Sequence, residues 1–455
     1  MSCLKEESPG ASQASAAESG EAASEQAMAS APMAAVPLAT GHGGDRKESE
    51  QSTIAMPASP VSGGRAIISV RTRQTTSRTR DGTAARASMT SNGDSHSSKA
   101  LHERSATPRL LFIPVSAPQG VGEYARAQAL ASAVLNRLPR AEIHFVLNES
   151  ASYAANVSFP TTWLPSSATF HPKRVADLIR EFRPNLVVFD NAGRTAQLKA
   201  ARSVGARTVF VSSRPRQRRK AFRLHWMQLI DEHWIAYPQF VAGPLNALER
   251  FKLRMMKRPV VRYMDTMMPE VGALESQAVV SRFGLQCDRY VLVVPGGGTG
   301  HPGAENGPQV MADAAARLAM LGHQIMLVGA KRPASPHSAL LSHVPRLPMA
   351  DLTALIQQAR LVMTNGGDTL LQTLACARAC VASAIAGDQA ARIQKCVAAG
   401  LVVGSRLDAR ELERAALTLL NDDTRRAGQL AKLERMPVIN GIGAAVDALS
   451  ALAIS

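Results

Sequence analysis

The stretch from Leu361 to Arg392, LVMTNGGDTLLQTLACARACVASAIAGDQAAR, narrows the possible folds more than any other part of the chain. Leu361, Val362 and Met363 read as a buried strand, and Thr364-Asn365-Gly366-Gly367 reads as a tight turn that delivers the chain to a helix. Asp368 or Thr369 is placed to cap that helix, which carries Gln372. A second apolar run leads through Gly387 to Asp388 and Gln389, where another helix opens. Such turns, repeated on one parallel sheet, bring backbone N–H groups and helix amino ends to the sheet's carboxyl edge, where open α/β sheets bind anions and nucleotides.

The chain from Pro108 onward agrees with this reading. Short β-rich runs at 110–115, 143–147, 186–189, 209–211, 233–237 and 259–263 alternate with helical stretches, the signature of parallel α/β layers. Between Met264 and Gln286 the apolar periodicity weakens and Pro269, Gly272 and Gly284 intervene. The pattern restarts with YVLVVP at 290–295 and HQIMLVG at 323–329. We therefore expect an α/β protein with two Rossmann-like domains facing across a cleft. Residues 107–264 form the first, 265–286 the interdomain link, and 287–440 the second, with 441–455 as a separate terminal helix.

Residues 1–106 are rich in Ala, Ser, Gly and Thr and nearly free of aromatic residues, so they are expected to form a disordered tail. Their opposite charges cancel, which leaves the net charge of +16 to the rest of the 455-residue chain. The tail lacks the basic start and apolar core of a secretory signal, and no run approaches the roughly 18 apolar residues of a membrane span. Five irregularly spaced cysteines do not make a disulfide framework. A cytoplasmic protein is expected, compatible with a peripheral position on a membrane surface. Cys376 and Cys380 have no companion Cys or His at ligand spacing, so no metal site is expected.

A second glycine-rich turn, PGGGTGHPGAENGPQV at 295–310, also follows a strand and opens a helix. It lacks the Lys-Ser or Lys-Thr of a Walker loop. Together the two turns resemble the donor-binding half of the GT-B nucleotide-sugar glycosyltransferases, above all the MurG-like transferases and the related UDP-sugar hydrolases of pseudaminic acid synthesis. Gly297, Gly298 and Thr299 match the first turn of those families, while Gly366, Thr369, Gln372, Asp388 and Gln389 match the second and the strand that follows. Gln372 replaces a family glutamate that grips the ribose, so the charge-assisted part of that contact is lost. The resemblance implies a last helix that crosses back to the first domain. It also implies a nucleotide-sugar donor, UDP-linked and compatible with UDP-N-acetylglucosamine, held by Gly297, Gly298, Thr299, Gly366, Gly367, Asp368, Thr369, Gln372, Asp388 and Gln389.

In the first domain, PVSAPQGVGEYARAQALA at 114–131 resembles the entry loop of the hydrolase branch. Gly120, Gly122 and Arg126 match on the acceptor side, and Glu123 stands where that branch has a histidine facing the reaction centre. Glu123 is thus a candidate general base, with Asp190, at the end of the strand LVVFD, as second candidate. The expected activity is metal-independent hexosyl transfer, with no cofactor beyond the nucleotide-sugar substrate. A nucleotide-sugar hydrolase and a non-catalytic binding protein are the alternatives.

Basic stretches at 214–223 and 250–262 suit an anionic or lipid-linked acceptor at a membrane surface, and Phe222, Trp226 and Met227 are expected to give the first an apolar membrane-facing side. Nucleic acid is not expected as a partner, since aromatic residues are 4% of the chain and no nucleic-acid module is present. The oligomeric state is not legible in the sequence.

Overall fold

A computed structural model describes residues 107–116, 120–296, 306–329, 333 and 338–455. The first lobe runs β1 (Arg109–Pro114), α1 (Gly122–Arg137), β2 (Glu142–Asn148), β3 (Thr161–Leu164), α2 (Pro172–Phe182), β4 (Leu186–Asp190) and α3 (Thr195–Ser203). It continues through β5 (Arg207–Ser212), α4 (Pro215–Ala221), α5 (Leu224–Met227), β6 (Glu232–Ile235), α6 (Gln239–Ala242), α7 (Ala247–Met256) and β7 (Val260–Tyr263). The second lobe holds α8 (Ala273–Arg282), β8 (Tyr290–Val294), α9 (Gly307–Met320), β9 (Gln324–Val328), β10 (Leu341–Val344), α10 (Met349–Gln358) and β11 (Leu361–Asn365). Then follow α11 (Asp368–Ala375), β12 (Cys380–Ser383), α12 (Gln389–Ala398), β13 (Val403–Gly404), α13 (Ala409–Leu420), α14 (Asp423–Arg435) and α15 (Ile442–Ile454).

The strands form two parallel sheets, a seven-stranded one ordered β3-β2-β1-β4-β5-β6-β7 and a six-stranded one ordered β10-β9-β8-β11-β12-β13. Central strands are continuous apolar runs because helices cover both faces. Alternate side chains go opposite ways: Leu110 and Phe112 meet α1 and α15, whereas Leu111 and Ile113 meet α2 and α3. In the second sheet Val291, Val293, Leu361 and Met363 pack under α9 and α13, while Tyr290, Leu292 and Val362 pack under α8 and α10. Strand order reverses between β1 and β4, and again between β8 and β11. The loops leaving these strands diverge, which opens a crevice at the carboxyl edge of each sheet.

Two features refine the division of the chain. Within 265–286 lies α8, whose Val279 and Val280 belong to the core of the second sheet. The terminal helix α15 lies on the first lobe, where Ile442, Ala445 and Leu449 bury against the same cluster as Leu130 and Val134 of α1. The two chain crossings touch: Thr266 and Asn440 form a parallel bridge, and Gly441 donates its N–H to Thr266 O at 2.7 Å. A Cβ on Gly441 would come within 2.5 Å of Met264 O, so this approach requires glycine. Residues 1–106 lie outside the described residues.

Candidate functional site

The reversal points of the two sheets face each other, and one buried arginine joins them. Arg126, on the inward face of α1 and only 6% exposed, donates from Nε to Asp190 Oδ2 at 2.7 Å and from Nη2 to Asp190 Oδ1 at 2.9 Å. Its Nη1 reaches across to Asp368 Oδ2, the first residue of α11, at 2.9 Å. Burial alone would lower the guanidinium's pKa, but attraction to Asp190 and Asp368, a hydrogen bond to Asp190 and the nearby Glu123 hold it well above the ordinary arginine value. Asp190, 2% exposed, is pushed up to about 6 by burial against the opposing pull of Arg126. Gly122 is small enough to admit the contact, since a Cβ there would lie 3.2 Å from Asp368 Oδ2.

Glu123 stands beside this bridge in the first turn of α1. Its Oε1 accepts from Asn191 Nδ2 at 3.1 Å and from Arg214 Nη2 at 3.3 Å. Asn191 follows β4 at a φ of +50° and is fixed by Ser213, whose N–H donates to Asn191 Oδ1 at 2.9 Å. Of the two acid candidates, only Glu123 keeps an oxygen uncommitted. Both oxygens of Asp190 serve Arg126, so this carboxylate orients the guanidinium and is not placed to take a proton from an acceptor.

The second lobe departs from the sequence reading. The turns after β8 and β11 are neighbours: Thr364 Oγ1 donates to Val294 O at 2.9 Å, and Asn365 Nδ2 to Pro295 O at 2.7 Å. Gly296 adopts a φ of +107°, and any side chain there would overlap Asn365. Yet the N–H groups expected to hold a diphosphate at Gly366 and Gly367 already have acceptors. Gly366 donates to Gln389 Oε1 at 3.3 Å and Gly367 to Asn365 Oδ1 at 2.7 Å. Gln389 is buried and also accepts from Ile385 N–H at 2.9 Å, which makes it a brace between two turns. Gln372 is buried too, its amide directed at Met349 Sδ 3.8 Å away.

Helix α11 begins one residue earlier than a capping Asp368 requires and two earlier than a capping Thr369 requires. Gly367 holds the cap position, and no side chain caps the helix. The amides of its first turn, starting at Asp368 and Thr369, are therefore the donors this bend can offer an anion. Asp388 is exposed and receives Arg392 Nη2 at 3.5 Å. Gly120 precedes α1, and Gly122 is its first residue. Gly297, Gly298 and Thr299 lie outside the described residues.

Several contacts between the lobes had no signal in the sequence. Arg392 donates to Tyr237 Oη at 2.7 Å, Lys395 donates to Val241 O, and Arg346 donates to Ser152 O at 3.1 Å. Val241 is buried with Leu370, Leu371 and Leu374. Phe222, Trp226 and Met227 are buried, so the apolar membrane-facing side expected of 214–223 does not exist. Cys376 and Cys380 are packed thiols, and burial pushes Cys376 up to about 12. Among the described residues, no three His, Cys, Asp or Glu side chains are grouped to hold a metal, and no helix is long and apolar enough to cross a membrane.

No protein-family model and no curated protein matches the chain. Solved structures do. The chain is 15% identical to UGT89C1 of Arabidopsis thaliana complexed with UDP-L-rhamnose, with a TM-score of 0.54, covering 77% of this chain and 100% of that one. The glycosyltransferase SnogD of Streptomyces nogalater gives 0.52 at 16% identity, and the spinosyn forosaminyltransferase SpnP gives 0.52 at 12%, each covering 76% of this chain and all of its own. The fold is GT-B. At these identities the likeness establishes the architecture, and the narrower resemblance to MurG-like enzymes is not carried by it.

Proposed function

We propose that this GT-B protein is a glycosyltransferase that moves a sugar from a UDP-linked donor to an anionic acceptor held by the first lobe. The observation that carries this reading is the convergence of an uncapped helix amino end, a buried arginine and a partly free carboxylate at the two facing reversal points. The donor's diphosphate would lie at the first turn of α11, where amide dipoles favour negative charge, with Arg126 alongside. As the glycosidic bond breaks, charge grows on the leaving diphosphate, and these fixed groups supply the stabilisation that a metal gives elsewhere. Glu123 would take the proton of the acceptor hydroxyl, with Asn191 and Arg214 orienting its other lone pairs. UDP-N-acetylglucosamine is a compatible donor.

A second reading has its own support. The Gly366 and Gly367 amides are satisfied internally and so are not free to hold a diphosphate, which favours a non-catalytic GT-B-fold protein. Isothermal titration with UDP and UDP-sugars, paired with UDP release, separates the readings. Binding with acceptor-dependent release supports transfer, release without acceptor indicates hydrolysis, and binding without release indicates a binding protein. Glu123→Gln is expected to reduce turnover by about a hundredfold or more while leaving UDP affinity within twofold. Unchanged turnover would remove Glu123 from the chemistry.

A further inference from the structure

Helix α7 is attached by the wrong side for an ordinary surface helix. Of its ten residues only Glu249 is buried, whereas Leu248, Phe251 and Met255 are 60%, 61% and 51% exposed. These three follow the i, i+3, i+7 spacing of one helical stripe, which in a globular protein normally faces the core. Here the polar underside is what is fastened down. Asn246 and Glu249 form a reciprocal cap at 2.8 and 2.9 Å, and the Glu249 carboxylate receives Arg218 Nε at 3.1 Å and Nη2 at 2.7 Å. Arg218 also donates to Ala242 O and Gly243 O, at 2.8 and 2.9 Å, so the helix is clamped in place with its apolar stripe outward.

Charge decides what such a stripe can meet. Arg250 and Arg254 are exposed next to it, and Lys257 stands just past the helix end. The side chains of Arg254 and Lys257 have no ion pair or hydrogen bond among the described residues. Leu224, on the adjoining α5, extends the apolar surface, and the preceding Arg223 is exposed as well. A symmetric contact with a second copy would set these cations against themselves in a chain that already carries +16. A nucleic acid would answer the cations but leave the central leucine, phenylalanine and methionine unmatched.

We propose that α7 is a docking element for an anionic lipid bilayer. Its stripe enters the boundary between headgroups and acyl chains, and Arg250, Arg254 and Lys257 lie against lipid phosphates. This surface is independent of the donor site, so it stands or falls apart from the assignment of activity.

The test is co-sedimentation of the full chain with sucrose-loaded vesicles, of phosphatidylcholine alone and of phosphatidylcholine mixed with phosphatidylglycerol. The wild type is expected to partition onto the mixed vesicles and to be released by high salt. Arg250→Glu/Arg254→Glu is expected to lower that partitioning by on the order of tenfold or more, and Phe251→Ser/Met255→Ser by a similar factor. Both double variants should keep the wild-type melting temperature, because the altered side chains are exposed. Equal binding by either variant would overturn the proposal, as would equal binding to phosphatidylcholine alone. A wild-type dimer in sedimentation velocity that both variants convert to monomer would show a self-interface instead. Retention of single-stranded RNA that only the charge variant loses would show a nucleic-acid surface.

Discussion

The two carboxyl edges that meet at Arg126 are built on opposite plans. On the first lobe the edge is built of side chains, buried or half-buried and bonded in two adjoining groups, Arg126 with Asp190 and Glu123 with Asn191 and Ser213. On the second it is mostly backbone, folded back on itself through Gly296, Gly366 and Gly367 and braced by Asn365 and Gln389. A side-chain network fails when one charge is removed, because its partner stays behind in a low-dielectric site. A glycine turn fails when an atom is added.

The largest effect is therefore expected from Arg126→Leu. It strands the Asp190 carboxylate, and a loss of about 3 to 5 kcal/mol in urea unfolding is expected, together with loss of nucleotide binding. A loss below about 1 kcal/mol would mean that the network contributes little. Next comes Gly366→Ala, whose Cβ would sit 2.7 Å from Gln389 Cβ and 3.0 Å from Ile393. Roughly 1 to 3 kcal/mol should be lost, and the lost cooperativity should appear in circular dichroism before tryptophan fluorescence, since Trp163, Trp226 and Trp234 all belong to the first lobe. Coincident transitions would show that the lobes unfold as one.

The smallest effect concerns pH and belongs to the first lobe alone. His233 is buried, with Nε2 2.8 Å from Ser212 Oγ, and burial lowers its pKa from 6.5 to about 3, aided by Arg218. The unfolded histidine takes up a proton below its ordinary value while the folded one stays neutral. Stability should thus fall as pH drops from 6.5 towards 3. Asp190 works the other way in part of this window, because its raised folded pKa retains a proton as pH falls below about 6. His233→Asn should flatten the acid-side decline in urea midpoint, whatever it does to stability at neutral pH. An unchanged slope would assign the decline to other groups.

The sheet architecture was readable because buried parallel strands are unbroken apolar runs. LLFIPV, LVVFD, YVLVV and LVM all stand at sheet centres. The strands not legible in the sequence, TTWL in β3, LSHV in β10 and VG in β13, are edge strands, half-exposed and mixed in character. Arg126, Asp190, Glu123 and Asp368 could be singled out by their places after strands and at helix starts. Their pairing could not, because Arg126 lies 64 residues from Asp190 and 242 from Asp368. Direction was the other hidden quantity: Gln389 and Trp226 turn inward, whereas Phe251 turns outward, and residue type alone does not tell which.

The seating of α15 on α1 has a consequence for biosynthesis. The first lobe lacks Ile442, Ala445 and Leu449 from its hydrophobic cluster until the whole second lobe has been translated. Its apolar surface stays unfinished while the second lobe is made, and termination before α15 damages a lobe encoded far upstream of the break.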